Sequence, residues 1–387
     1  MSKLTIKKRL LISLLIGNIV ISTAEANTPY QIPVRFTHPD ISSDEGGLWA
    51  MMDREETKLK RSPFLIREKD FSQYLQNLTC RLAEDHCPDI RTYLVNNQYF
   101  NASMAPNGML QVWSGLMLRV DNEAQLAAVI GHELGHYMER HSLSGLRDSK
   151  NRAAFAQFLG LFGVVGLIGT IGVVGGKFSF SRGQESEADE IGLMLMQKAG
   201  YDPREAAKIW ENLRAESKAG PNGDPEKNSP MFATHPSSEE RKTKLALLAA
   251  EFNNSGAINQ DDWEKRISPF VHEWLENEIR RGSFAESIVL LNRLVNRKND
   301  TAEYYWARAE VYRLRNEKSD QESALNDYQR AIEAGHCPPA VYRGMGMVLK
   351  SQGNKEQAKE NLEQYIQLMP QASDSLMIKS YIEELGT

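Results

Sequence analysis

The sequence predicts an α+β fold, mostly helical, in which a domain with a small sheet is followed by an all-α repeat solenoid. Three observations carry this reading. A helix opening at Asp121 runs into His132-Glu133-Leu134-Gly135-His136, two short strand patterns precede it, and beyond Asp261 the residues recur with a 34-residue period. At 387 residues the chain exceeds one typical core, so two domains are expected, with bounds of 27–260 and 261–387. Hydrophobic residues make up 41% and charged residues 25%, an ordinary globular balance. The formal charge of -5 leaves no basic footprint, and the sequence argues against nucleic acid as a partner.

Residues 1–26 read as a signal peptide. Lys3, Lys7, Lys8 and Arg9 precede an apolar run from Leu10 to Val20, and Ala24-Glu25-Ala26 supplies small residues at the two recognised positions, so cleavage is expected after Ala26. A membrane anchor needs about 20 apolar residues, and Ser22, Thr23 and Glu25 interrupt the run. Export to the periplasm follows. That compartment would allow a local disulfide between Cys80 and Cys87, with two unpaired thiols as the alternative and Cys337 left over.

Along the chain, 27–60 reads as an extended polar arm with at most one short helix. Phe71, Tyr74, Leu75, Leu78 and Leu82 recur at helical spacing and predict a helix over Asp70–Leu82. Arg91–Val95 and Met109–Trp113 predict strands, with a turn-rich Asn101–Gly108 stretch between them. If Met109–Trp113 is an exposed edge strand, it would bind an extended peptide by strand addition. Phe155–Gly176 is apolar and carries seven glycines. It reads first as a mobile flap or plug beside the active site, with a membrane-surface or a spanning segment as alternatives. Each glycine costs a helix about 0.8–1 kcal/mol against alanine, which counts against a span. A further helix is expected over Gln184–Lys198, ended by Gly200, and a loop over Ala219–Pro230.

Past Asp261, Ala324, Tyr328 and Ala331 are followed 34 residues later by Ala358, Leu362 and Tyr365, with Gly353 and Pro370 at the turn and terminator. This is the tetratricopeptide period, and a capping helix is expected over Ser373–Leu385.

The chemistry sits in the first domain. His132 and His136, four apart on a helix, project both imidazoles to one point, and Glu133 reaches the same space as a non-ligand carboxylate. Two nitrogen ligands and a nearby base are what zinc-assisted hydrolysis requires, with Glu133 taking a proton from the attacking water. Glu185 can complete a two-histidine, one-glutamate site for one Zn2+ per chain, and Asp189, one turn on, can hold the free N–H of a ligand histidine. His141 falls half a turn out of phase and reads as structural or supporting, pointing away from the metal. His235, in Thr234-His235-Pro236, has three readings: an oxyanion donor, an occupant of the open zinc position in a latent form, or an ordinary loop histidine.

HELGH, the Ser181-Arg182…Glu185-Ser186-Glu187-Ala188-Asp189 helix, Gly200-Tyr201-Asp202-Pro203, Thr234-His235-Pro236 and the Asn101-Ala102…Pro106-Asn107-Gly108 element together resemble the HtpX and CAAX-prenyl-protease family of gluzincin metallopeptidases. Asn107 stands where that family usually has glycine. The signal segment and the repeats are most similar to its BepA-like periplasmic branch. The resemblance implies zinc held by His132, His136 and Glu185, with Glu133 as general base. It also implies endopeptidase work on misfolded or misassembled envelope proteins near the outer-membrane assembly machinery, with the repeats recruiting substrate or partner. A chaperone or adaptor with vestigial or tightly latent proteolysis is the competing function.

Overall fold

Ser43 opens the first helix, α1 (Asp44–Arg61): its side chain accepts from the Gly46 N–H, Asp44 and Glu45 sit in the first turn, and Lys58, Lys60 and Arg61 in the last. Each charge complements the helix dipole. Leu48, Met52 and Leu59 make its buried stripe, packed with Val95, Met109, Trp113 and Phe180. Residues 44–60 of the expected extended arm over 27–60 therefore belong to a helix of 18 residues. Its polar composition hid three apolar positions on one face, and those suffice because the sheet covers them.

The computed structural model describes residues 30–148, 179–221, 223–236, 239–252, 255–297 and 302–386. The signal segment 1–26 and the glycine-rich 155–176 stretch lie outside them. Helix α2 (Lys69–Ala83) follows within a residue or so of expectation, then a 3₁₀ turn over Glu84–Asp89 whose Cys87 is disulfide-bonded to Cys80.

The sheet has three strands in the order β1-β3-β2, with β1 (Arg91–Val95) parallel and β2 (Ala102–Met104) antiparallel to β3 (Met109–Trp113). β3 is thus central and buried along its length, so the condition for strand addition at Met109–Trp113, an exposed edge, is not met. The outer strands are β1 and β2, and β2 lies inside the stretch read as turns. Three residues are too few to display alternation. Gly108, at φ +87°, closes the β2–β3 turn beside Asp89.

A short α3 (Ser114–Arg119) leads to α4 (Glu123–Met138), capped by Asn122, whose Oδ1 accepts from the Gln125 N–H at 2.9 Å, and buried on every side. Helix α5 (His141–Asp148) follows α4, and α6 (Arg182–Lys198) begins with a capping box between Ser181 and Gln184. α4 and α6 lie against each other through small residues. A Cβ on Gly135 would come within 2.9 Å of the Ala188 Cα, and one on Gly131 within 3.1 Å of the Gly192 carbonyl oxygen. Backbones this close leave room only for the side chains projecting at the crossing. Four further helices complete this part: α7 (Arg204–Lys218), α8 (Pro225–Asn228), α9 (Pro230–Thr234) and α10 (Glu239–Glu251).

The rest of the described chain is all-helical: α11 (Gln260–Arg281), α12 (Phe284–Leu294), α13 (Ala302–Arg315), α14 (Asp320–Glu333), α15 (Ala340–Ser351), α16 (Lys355–Leu368) and α17 (Ser375–Leu385). α13 packs on α14, α15 on α16, and α17 closes over α16. The buried positions of α14 are Asp320, Ala324, Asp327, Tyr328 and Ala331, and those of α16 are Ala358, Leu362 and Tyr365, so each trio of the 34-residue period is interior. Pro33–Thr387 form one compact unit. Within it α11 is seated on α3 and α4: the Trp263 indole donates to the Val120 carbonyl at 3.2 Å, and buried Arg119 pairs with Glu216 at 2.7 Å and Glu278 at 3.0 Å. Among the described residues no helix is long and apolar enough to cross a membrane.

Candidate metal centre

α4 presents His132 and His136 to α6, and the small-residue crossing lets Glu185 reach both. The two Nε2 atoms are 3.2 Å apart, and the Glu185 carboxylate lies 3.6 Å from His132 Nε2 and 3.4 Å from His136 Nε2. His235 caps the C-terminus of α9 and turns inward, its Nδ1 3.2 Å from His132 Nε2 and 3.0 Å from a Glu185 oxygen. The ligand atoms of these four buried residues all lie within 4.8 Å of one another. Burial pushes His136 well below the ordinary histidine range, so its nitrogen stands as a lone-pair donor. Burial would raise Glu185 too, but His235 and Arg241 outweigh it and hold it well below the carboxylate range. Imidazole nitrogens and one carboxylate in a dry pocket suit a borderline-soft divalent ion, and the residues fit a metal.

Glu133 enters from the same turn of α4. Its Oε2 accepts from the Met104 N–H of β2 at 3.2 Å, while buried Oε1 has no hydrogen bond and lies 3.6 Å from His235 Nε2. Burial raises its carboxyl above the usual range, the direction a general base needs.

The surroundings fix these groups. Asp189 Oδ1 accepts from the His132 ring at 3.0 Å and so directs Nε2 at the cluster. Burial would raise Asp189, but Arg241 brings it down to about 2. Arg241 went unrecognised in the sequence. It donates to Asp189 at 2.6 and 2.9 Å, pairs with Glu185 at 2.5 Å and stacks over Trp210 at 5.4 Å. In the charged run Glu239-Glu240-Arg241-Lys242 it looks like one more solvated side chain. Its only signal is its place one helical turn past Thr234-His235-Pro236. Phe180 stacks on His136 at 4.0 Å and closes the other side.

His141 departs from expectation. The phase argument assumed one continuous helix, but α4 ends at Met138 and Arg140 adopts φ +52°. That left-handed residue starts α5 on a new axis and aims the His141 ring back at the site, Nδ1 to Nδ1 with His136 at 2.9 Å. His141 supports the cluster from outside rather than facing away.

An HExxH helix crossed by a second helix that brings a glutamate to its two histidines, beside a small sheet, defines a metallopeptidase. The model of peptidase family M48 matches residues 66–248 of the chain. It is 31% identical over 264 residues to the beta-barrel assembly-enhancing protease of Yersinia pestis, covering 62% of this chain and 53% of that one. The corresponding protein of Escherichia coli K12 is 29% identical over 328 residues, or 74% and 66% of the two chains. The mitochondrial metalloendopeptidase OMA1 of Arabidopsis thaliana is 37% identical over 155 residues, 40% of this chain and 30% of that one. The match to the two bacterial proteases thus spans less than two thirds of their length.

Proposed function

We propose that the protein is a zinc-dependent endopeptidase of the periplasm that cleaves misfolded or misassembled outer-membrane proteins. The observation that carries this is the convergence of His132, His136 and Glu185 beside the unpartnered Oε1 of Glu133. His132, His136 and Glu185 would hold the one zinc ion, which lowers the pKa of water to about 7 and polarises a carbonyl. Glu133 takes the proton of the attacking water on Oε1 and passes it to the leaving amine, held in place by the Met104 amide. β2 offers the extended backbone on which a substrate segment would pair beside Glu133.

His235, at the cluster in place of an open position, makes this a resting, latent site. Domain 261–387 is a tetratricopeptide-like solenoid that recruits the substrate or the assembly machinery, joined to the peptidase domain 27–260. The relatives named as beta-barrel assembly-enhancing proteases support the substrate class, and the Cys80–Cys87 disulfide supports an oxidising compartment. The buried, His235-covered cluster also favours the second reading, an assembly adaptor with tightly latent proteolysis.

Metal analysis with casein digestion tests the proposal. We expect one zinc per chain, lost in His136→Ala and in Glu185→Ala, with Glu133→Gln retaining zinc and losing hydrolysis. A Glu133→Gln protein with wild-type turnover would overturn the mechanism, and inactive wild type with zinc bound would favour the adaptor.

A further inference from the structure

Behind the cluster lies a further histidine that no part of the reaction uses. His141 is buried, its Nδ1 2.9 Å from Nδ1 of His136 and its Nε2 3.1 Å from Oε2 of Glu187. Glu187 belongs to α6, two residues beyond Glu185, so the contact ties the turn after α4 to the helix that supplies the carboxylate.

The proton positions in this chain follow from the chemistry of its ends. A carboxylate only accepts, so Nε2 of His141 carries the hydrogen toward Glu187. A neutral imidazole with Nε2–H has a lone pair on Nδ1, which must receive a hydrogen from Nδ1 of His136. His136 is then fixed as the tautomer whose bare Nε2 faces His132 and Glu185, 3.2 and 3.4 Å away. The opposite tautomer would set two lone pairs against each other at 2.9 Å.

We propose that His141, oriented by Glu187, is the positioning residue for His136, doing for that ligand what Asp189 does for His132. This rests on the reading of His136 as a metal ligand. The arrangement is asymmetric: one ligand imidazole is backed by a charged carboxylate and the other by a neutral ring. Its geometry depends on the turn at Arg140, whose guanidinium lies 4.1 Å over Phe36 and 3.1 Å from Glu45 and holds the left-handed residue in place.

The test is zinc affinity of the whole mature protein, measured by competition with a chromophoric chelator, together with thermal unfolding of the metal-free form. Removal of such an outer partner weakens metal binding about 10–100-fold, the loss expected of His141→Leu. His141→Asn retains an acceptor oxygen where Nδ1 stood and should restore most of the affinity, which a purely space-filling role would not do. Glu187→Ala should weaken zinc less than His141→Leu, because water at this half-exposed carboxylate can replace it. Wild-type affinity in a folded His141→Leu protein overturns the inference, as does His141→Asn binding no better than His141→Leu. Should His141→Leu fail to fold, the Asn variant decides alone: near-native affinity supports the role and a Leu-like loss of zinc from a folded protein refutes it. A wild-type protein that takes up no zinc instead removes the metal reading on which the inference stands.

Discussion

Nδ1 of His235 lies 3.0 Å from a carboxylate oxygen of Glu185, fifty residues away in the chain and on a different helix. Burial would lower this imidazole, but Glu185 and Glu133 outweigh it and raise it, so the ring is held in the cluster by charge as well as by shape. If His132, His136 and Glu185 hold zinc as proposed, a side chain in that place would compete with water and substrate for the fourth position. His235→Ala should therefore raise basal casein hydrolysis while zinc stays bound. A fall in turnover of about 10²–10³-fold would mean that His235 stabilises the oxyanion instead, and unchanged turnover that it does neither.

Arg241 joins the two carboxylates of α6 that face the site. Replacing it with methionine leaves buried Asp189 without its guanidinium and Glu185 with His235 alone, which costs about 3–5 kcal/mol when one partner of a buried pair is removed. We expect the metal-free Arg241→Met protein to unfold at clearly lower urea than wild type. Arg241→Lys should recover only part of the loss, because one ammonium cannot reproduce the fork that reaches both carboxylates.

How much of this was legible in the sequence depends on how local each feature is. The helix bearing His132 and His136, the helix bearing Glu185 and Asp189, and strands β1 and β3 follow from periodicity over a handful of neighbours, and they appear where expected. The Asp189–His132 bond joins residues that each sit one turn from a member of the cluster, His132 from His136 and Asp189 from Glu185, a spacing visible in the sequence. What escaped was tertiary. The rank of β3 within the sheet is set by β2, whose pairing at Ala102↔Val112 cannot be read from three residues. α1 is polar over most of its surface and amphipathic only against the sheet it meets. His141 looked misdirected because a non-glycine residue, Arg140, takes the left-handed conformation, which neither propensity nor pattern signals. Arg241 became visible only once Pro236 and the start of α10 had folded it over Trp210.

The junction between the sheet-bearing part and the C-terminal helices should make the protein acid-sensitive. Burial would raise the Glu278 carboxyl, but Arg119 and Arg281 bring it down to about 2. A depressed carboxylate contributes stability that is present above its unfolded pKa and is lost as pH falls through the folded value. From about pH 4.5 to pH 2 this group alone should remove about 3 kcal/mol. Urea unfolding as a function of pH should show that loss in wild type and a shallower slope in Glu278→Gln. The variant should also be less stable near neutrality, because Arg119 keeps only one carboxylate. Equal slopes would locate the acid sensitivity elsewhere.

The Cys80–Cys87 bond closes a loop with a sequence separation of 7, and for so short a loop the lost chain entropy corresponds to about 2–3 kcal/mol. Cys80→Ala with Cys87→Ala should lower the unfolding free energy by that amount without affecting zinc content, since neither cysteine belongs to the His132, His136, Glu185 and His235 cluster. Loss of zinc from the folded double variant would contradict that separation.

The close crossing of α4 and α6 is why the residues of the cluster meet at all. Glu185 can reach two histidines on another helix only because α4 and α6 touch backbone to backbone, and Gly135 sits at that contact with the Ala188 Cα 2.9 Å and the Ala188 carbonyl oxygen 3.0 Å from where a Cβ would stand. Neither atom is the end of a flexible side chain, so Gly135→Ala must push the helices apart. Overpacking of this kind costs about 1–3 kcal/mol. Ala188 lies between Glu185 and Asp189, and the same displacement moves both the ligand and the group that orients His132. Gly135→Ala should therefore lose stability and zinc affinity together. Gly183→Ala, in the first turn of the same α6, meets nothing nearer than a Ser181 side-chain oxygen at 3.8 Å and should be neutral or slightly stabilising in thermal unfolding, with zinc binding unchanged. If Gly135→Ala matches wild type in both measurements, the close crossing is not what assembles the site.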